Sequence, residues 1–261
     1  MTTALLPQAV LFDMDGTLVD TEHLWWAATA EIAAELGHQL GESDQSEVLG
    51  HAVEHTAAHL DRVVAHSPGR AVLAARLNEA FITRVAAQVV PRPGALALLS
   101  RLREAAVPTA LVSASPRQVV DLVLSHLGAD WFAVTLAAED TPRTKPDPAP
   151  YLAAAAHLGL DPARCVAVED TPTGVASAYA AGCAVLAVPS SAVAMPAGPG
   201  ITMLGSLTEA DLPLLAGLTG RGSAASAAAA ASADATDATG AAGAPGPTGT
   251  TGTTGTTGPR E

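Results

Sequence analysis

The sequence of 261 residues contains few aromatic and few basic residues. Phe, Trp and Tyr make up 3% of the chain while apolar residues make up 49%, so Ala, Val and Leu must fill any core. Lys and Arg number 13 against 26 Asp and Glu, and the net charge of −13 repels nucleic acid and anionic lipid. We therefore expect neither as a partner, and a bound phosphate would need local donors and a cation.

Cysteines and uninterrupted apolar segments are also scarce. Cys165 and Cys183 lie in apolar surroundings without the spacing of a metal knuckle, which predicts buried thiols in a reducing cytosol. Residues 1–10 lack a basic n-region and a long apolar run, so we expect no signal peptide. Gly and Pro interrupt the uncharged stretch 171–208, whereas a membrane span needs roughly 20 mostly apolar residues. We expect a cytoplasmic protein that is a monomer or weak homodimer.

The apolar pattern divides the chain into a helical and an alternating part. Residues 9–12 form a short apolar run before an acidic loop, which predicts a buried strand. Helical periodicity follows in residues 21–36 and again from residue 73 to about residue 90, with no clear strand between. After residue 93, strands alternate with helices, which implies a parallel sheet covered on both faces. An all-helical insert therefore interrupts an α/β domain after its first strand.

The alternating part contains four predicted strands and four predicted helices. In chain order they are a helix over 95–105, a strand over 109–112, a helix over 116–127, a strand over 133–136, a helix over 148–158, a strand over 165–168, a helix over 173–181 and a strand over 184–188. From about residue 217 the composition collapses to Ala, Gly, Thr, Ser and Pro, which predicts a disordered low-complexity tail over 217–261.

The strongest chemical motif is Asp13-Met14-Asp15-Gly16-Thr17, directly after the first predicted strand. Ligands of parallel sheets bind beyond the carboxyl ends of the strands. One carboxylate of such a pair can attack phosphorus and bind a metal, while the other gives and takes a proton. The alternative is a simple acidic turn, since Asp and Gly favour turns. The strand context and the sites downstream favour a catalytic role for Asp13 and Asp15.

The second candidate site follows the strand over 109–112. The hydroxyl of Ser113, with the backbone N–H groups of Ala114 and Ser115, would cradle phosphate oxygens near a helix start. A lone serine at such a place is more often a helix cap. We expect Ser115, just before Pro116, to be the cap of the following helix.

Two more charged sites lie near strand ends. Lys145 is the only lysine of the chain, and its ammonium would offset charge on a transferring phosphoryl group. Asp147 is either a helix cap or a group that orients the lysine. Glu169 and Asp170 follow the strand over 165–168 and are oxygen ligands of the kind that suits Mg²⁺. A capping acid before Thr171 is the alternative.

These four sites, each after a strand and in this order, resemble the haloacid dehalogenase superfamily, subfamily IA. The motifs around Asp13 and Glu169 most resemble its β-phosphoglucomutase-like branch. The resemblance implies a Rossmann-like three-layer core with a central parallel sheet, the first strand lying centrally. It assigns residues 1–20 and 91–216 to that core and residues 21–90 to an inserted helical C1 cap, which would close to exclude water.

The resemblance also implies a role for each site residue. Asp13 would form an aspartyl-phosphate, and Asp15 would protonate the leaving oxygen and then activate water. The side chains of Asp13 and Asp170 and the main-chain carbonyl of Asp15 would hold Mg²⁺, with Glu169 as a ligand or just outside. The phosphoryl oxygens would be held by Ser113, the neighbouring Ala114 N–H and Lys145.

Asp15 also favours phosphate chemistry, because dehalogenases of this superfamily lack a second Asp there. The mutase carries a basic cap residue just after a glycine, whereas the comparable segment here, Leu49-Gly50-His51-Ala52, has no Lys or Arg. We therefore predict a Mg²⁺-dependent phosphatase of small phosphorylated metabolites, such as sugar or polyol phosphates. The alternatives are a phosphomutase of the β-phosphoglucomutase type and a non-catalytic binding protein.

The cap contains other polar residues with two interpretations. His51, His55 and His59 form a row at helical spacing, which is more typical of polar surface than of a metal site. Arg62 and Arg76 remain candidates for contacts with the substrate.

Overall fold

The computed structural model describes residues 5–49, 53–190 and 193–219. Within these ranges six parallel strands form one sheet in the order β3-β2-β1-β4-β5-β6. The strands are β1 (Ala9–Phe12), β2 (Thr109–Val112), β3 (Val134–Leu136), β4 (Cys165–Glu169), β5 (Ala184–Ala187) and β6 (Ile201–Met203). The predicted parallel α/β fold with a central first strand is confirmed, and β6 is an edge strand that the sequence analysis did not predict.

In addition to residues 212–219, eight α-helices lie in the described residues. They are α1 (Glu22–Glu35), α2 (Glu42–Val48), α3 (Val53–Val63), α4 (Arg70–Ala87), α5 (Ala95–Glu104), α6 (Arg117–Leu127), α7 (Ala149–Leu158) and α8 (Pro172–Ala180). Residues 212–219 are also helical. Thus residues 217–219, predicted as the start of the tail, end a helix. Residues 220–261 of the predicted tail lie outside the described residues.

Side chains of the strands alternate between two apolar layers, as a period of two requires. Val10 and Phe12 of β1 belong to a cluster that includes Leu98 of α5 and Val120 of α6. Ala9 and Leu11, together with Tyr151 of α7 and Val175 of α8, belong to a second cluster. The sheet is therefore covered on both faces, and the three-layer core is as predicted.

The insert between β1 and β2 consists of α1 to α4 and, in its described residues, has no strand. Its own apolar cluster joins Ile32 of α1, Leu60 of α3, and Leu73 and Leu77 of α4. The insert was predicted to be all helical, but α2 and α3 were not delimited within it, and α2 (ESDQSEV) is mostly polar. Its first turn is stabilised locally, since the Asp44 carboxylate accepts a 2.8 Å hydrogen bond from the backbone N–H of Gly41. The role of the insert as a cap stays a prediction.

No helix in the described ranges is both long enough and apolar enough to cross a membrane. The uncharged stretch 171–208 instead contains α8, β5 and β6, with buried residues such as Val175 and Val185. The short strands and the turns between them agree with the interruption by Gly and Pro in the sequence.

Candidate active site

The predicted site residues meet at the carboxyl edge of the sheet. Asp13 follows β1, Ser113 follows β2, and Glu169 ends β4 with Asp170 directly after it. Lys145, from the loop between β3 and α7, lies at the same edge. Its Nζ is 2.5 Å from Oδ1 of Asp13. Strands in the middle of a parallel sheet end side by side, which brings residues distant in sequence to one site.

The Lys145 ammonium joins three acceptors. It donates to Oδ1 of Asp13, to the Val112 carbonyl at 2.8 Å and to Oε1 of Glu169 at 2.7 Å. Burial by itself lowers the pKa of Lys145, but the charges of Asp13 and Glu169 outweigh that effect and raise the pKa above its usual value. Lys145 therefore stays charged and partly neutralises two buried carboxylates.

Three carboxylates at this edge could hold a metal ion. Ligand oxygens of Asp13, Glu169 and Asp170 all lie within 4.8 Å of one another, and all three residues are buried. Oδ2 of Asp13 and Oε2 of Glu169 are buried without a hydrogen-bond partner. A buried polar atom normally has a partner, so these two oxygens fit a divalent cation with oxygen ligands.

Electrostatics in the cluster point the same way. Burial, reinforced by the charge of Asp13, raises the pKa of the Asp170 carboxyl, and burial also raises the pKa of Glu169. A Ser190 hydroxyl donates to Oδ2 of Asp170 at 2.6 Å. Among the hydrogen bonds and ion pairs of the described residues, Lys145 is the one basic side chain that contacts the carboxylates of Asp13, Glu169 and Asp170. Additional positive charge would therefore stabilise this cluster of carboxylates.

Asp15 lies beside this cluster and is held by hydroxyl groups. Thr21 donates to Oδ1 at 2.7 Å, while Ser115 and Ser113 donate to Oδ2 at 2.7 and 3.3 Å. Burial, with the charge of Asp13 added, raises the pKa of the Asp15 carboxyl. The hydroxyl groups orient Asp15, while burial and the charge of Asp13 favour the protonated form that a general acid needs.

One local expectation was wrong and one open choice is decided. Ser115 is not a helix cap: its hydroxyl contacts Asp15, its N–H donates to the Ser113 hydroxyl at 2.9 Å, and Pro116 precedes α6 without a side-chain cap. The Asp147 carboxylate contacts the start of α7 rather than Lys145: it accepts a 2.9 Å hydrogen bond from the Ala149 N–H, next to the N-cap residue Pro148, and pairs with Arg143 at 3.0 Å.

Sequence reasoning missed three polar residues around the site, Thr21, Tyr151 and Ser190, and it missed the contact of the Ser115 hydroxyl with Asp15. Thr21 and Ser115 lie within a few residues of recognised motifs, so their proximity was a usable signal. Tyr151 donates to Oε1 of Glu169 from an otherwise apolar stretch of α7, and Ser190 follows β5. Neither of these two has a sequence pattern that marks it.

The histidine row is engaged with acids of α2. His59 is buried, and its Nε2 lies 2.7 Å from Oδ1 of Asp44. His55 pairs with Glu47 at 3.2 Å. His51 lies outside the described residues, as do Gly50 and Ala52. Where the structure describes them, the histidines thus join α3 to α2.

The sheet order and the acidic cluster at its carboxyl edge are those of an α/β enzyme fold, in which ligands bind outside the strand ends. A family model described as "Hydrolase: haloacid dehalogenase-like hydrolase" matches residues 7–182. The chain belongs to this family, and the resemblance drawn from the motifs is confirmed.

Similar proteins of known structure or function are phosphatases or hydrolases of the same family. The chain is 32% identical over 188 residues to hexitol phosphatase B of Escherichia coli (strain K12), covering 70% of this chain and 83% of that protein. It is 30% identical over 177 residues to validoxylamine A 7'-phosphate phosphatase of Streptomyces hygroscopicus subsp. limoneus, covering 67% and 82%. A HAD family hydrolase from Deinococcus radiodurans R1, solved with bound phosphate and sodium, is 29% identical with a TM-score of 0.67, covering 83% and 98%. The predicted enzyme class, a hydrolase of phosphoric monoesters, is confirmed.

Proposed function

We propose that the protein is a Mg²⁺-dependent phosphatase that hydrolyses sugar or polyol monophosphates through an aspartyl-phosphate on Asp13. The observation that carries this proposal is the difference between the two oxygens of the Asp13 carboxylate. Lys145 holds Oδ1, while Oδ2 is buried without a partner beside the oxygens of Glu169 and Asp170. The similarity to hexitol phosphatase B supports the substrate class.

The side chains of Asp13 and Asp170 and the main-chain carbonyl of Asp15 are the proposed Mg²⁺ ligands, with Glu169 as a ligand or just outside. The unpartnered oxygens of Asp13 and Glu169 support this set. When bound, the ion supplies charge that lets an anionic nucleophile approach an anionic phosphate.

In the proposed reaction the Asp13 carboxylate attacks phosphorus, and the bond from phosphorus to the substrate oxygen breaks. Asp15 gives its proton to the leaving oxygen. Asp15 then takes a proton from water, whose oxygen attacks the aspartyl-phosphate; this releases phosphate and regenerates Asp13. Lys145, Ser113 and the Ala114 N–H are the proposed donors to the phosphoryl oxygens.

Hydrolysis, rather than transfer within a bisphosphate, is supported by the charges of the insert. Each of the four arginines between residues 21 and 90 is paired with a carboxylate. The pairs are Arg62 with Glu47, Arg70 with Asp61, Arg76 with Glu35, and Arg84 with Glu31. A second phosphate would need a cation that is not already paired, so a monophosphate with neutral hydroxyl groups fits better. These contacts also give Arg62 and Arg76 partners other than substrate.

The two cysteines support the proposed cytoplasmic location. Cys165 and Cys183 are free and buried, and burial raises the pKa of both thiols. Thiols of this kind are unreactive and suit a reducing compartment.

The first test compares wild type with Asp13→Asn for phosphate release from a panel of sugar and polyol phosphates, with Mg²⁺ and with a chelator. Removal of the nucleophile should lower kcat/KM at least about 10³-fold, and the chelator should have a similar effect on wild type. Asp121→Asn is the control, because Asp121 is an exposed aspartate on α6.

Equal activity of wild type and Asp13→Asn would remove Asp13 from the mechanism. The same assay separates the phosphomutase: conversion of a hexose 1-phosphate to its 6-phosphate without net phosphate release would establish that alternative.

A further inference from the structure

Tyr151 is one of the largest fully buried side chains and has a polar group aimed at the site. Its ring packs in the apolar cluster between the sheet and α7, while its hydroxyl donates to Oε1 of Glu169. The ring centroid lies 5.3 Å from Nζ of Lys145. A buried tyrosine hydroxyl normally has a hydrogen-bond partner. Here that partner, Glu169, is one of the residues of the candidate active site.

The donors of Lys145 are already used in this structure. An ammonium has three N–H groups, and those of Lys145 reach Asp13, the Val112 carbonyl and Glu169. A phosphoryl oxygen can therefore be contacted only when one of these three bonds is exchanged. If the bond to Glu169 is exchanged, this buried carboxylate loses a hydrogen-bond donor and needs another donor to stay in place.

We propose that Tyr151 is a positioning residue that keeps Glu169 hydrogen-bonded and in place while Lys145 turns an N–H group to the phosphoryl group. Oε1 of Glu169 accepts from both Tyr151 and Lys145, so the carboxylate keeps one donor when the other is withdrawn. This inference rests on the proposed function, since it assigns Lys145 to the phosphoryl group.

The surroundings of Glu169 leave it no substitute donor among the described residues. Its side chain is fully buried, and Oε2 has no hydrogen-bond partner. The Tyr151 phenol has one O–H group, and it is directed at Oε1 of Glu169. Without the Tyr151 hydroxyl, Lys145 would be the single donor to a buried carboxylate and would be harder to withdraw.

The test removes one oxygen atom. Tyr151→Phe keeps the ring, and Tyr179→Phe is a matched control, because Tyr179 is the only other tyrosine and is exposed on α8. Inorganic phosphate is titrated calorimetrically into each Mg²⁺-loaded protein, and KM and kcat are measured separately. In Tyr151→Phe the phosphate dissociation constant and KM should both rise about 10-fold or more, with a smaller change in kcat. Tyr179→Phe should match wild type.

A double-mutant cycle with Lys145→Met separates positioning from a merely structural role. If Tyr151 acts through Lys145, adding Tyr151→Phe to Lys145→Met should weaken phosphate binding no further, whereas an independent structural defect would add to it. Thermal unfolding of each variant confirms that the fold is retained.

Three outcomes overturn the inference. An unchanged phosphate dissociation constant in Tyr151→Phe, or fully additive effects in the cycle, would do so while wild type still releases phosphate. A wild type that shows neither Mg²⁺-dependent phosphate release nor phosphate binding would overturn the proposed function and this inference with it.

Discussion

At the scale of single residues, two glycines leave room for the acidic cluster. A Cβ atom at Gly174 would lie 1.9 Å from Oε2 of Glu169, and one at Gly16 would lie 2.0 Å from Oδ2 of Asp170. Gly16 also has a φ of +79°, a conformation that residues with a Cβ rarely adopt. The positions of Glu169 and Asp170 thus depend on residues that have no side chain.

Gly174→Ala should therefore displace Glu169 without a change of charge. We expect a fall in kcat/KM of about 10-fold or more and a loss of about 1–3 kcal/mol in the free energy of unfolding. Gly217→Ala is the control, because Gly217 is also helical but has no atom within 4 Å of the added Cβ. That change should raise stability by up to about 1 kcal/mol and leave activity unaltered. Full activity in Gly174→Ala would contradict the steric argument.

At the scale of elements, α4 contributes to two apolar clusters. Leu73 and Leu77, one turn apart, are fully buried in the cluster of the insert, while Val85 near the end of the helix joins the main core. Val72 lies on the outer face and is 47% exposed. The helix thus links the insert to the α/β core through its apolar face.

Leu77→Ala should lower the free energy of unfolding by about 2–5 kcal/mol, since it leaves a cavity in the insert. Val72→Ala on the same helix should change it by less than about 0.5 kcal/mol. Denaturant unfolding followed by circular dichroism measures both. Similar losses in the two variants would show that the cluster of the insert does not hold α4.

At the scale of the whole molecule, the acidic cluster links stability to pH and, under the proposed function, to a bound cation. The pKa values of Asp170, Glu169 and Asp15 are raised above those of the unfolded chain, chiefly by burial. The folded protein therefore holds protons that the unfolded chain has released above about pH 4. The free energy of unfolding must then decrease as pH rises from that value through the raised pKa values.

In the presence of a chelator, the melting temperature of wild type should be lower at about pH 8 than at about pH 5. Asp170→Asn should reduce this difference, because it removes one buried ionisation. Mg²⁺ at about 100 times its dissociation constant should stabilise wild type by about 2.7 kcal/mol, and Asp170→Asn much less. Differential scanning calorimetry checks these shifts; a melting temperature independent of pH and of Mg²⁺ would refute the cation site.

Local patterns were sufficient for five of the six strands, for most helices and for the gathering of the main site residues. Asp13, Ser113 and Glu169 follow or end buried strands, and parallel strands place such residues at one edge whatever the details of packing. Helix α2 and strand β6 were missed because one is mostly polar and the other is a partly exposed edge strand of three residues. Neither has the apolar periodicity on which the predictions depended.

The amino-acid sequence alone therefore determined the fold class, the family and the order of the acidic, hydroxyl and basic sites, since these follow from short-range patterns. The tertiary structure decided which side chains serve those sites. Tyr151 reaches Glu169, Ser190 reaches Asp170, and Ser115 reaches Asp15 across neighbouring elements. Such contacts arise from packing between segments far apart in the chain, and no local spacing of residues encodes them.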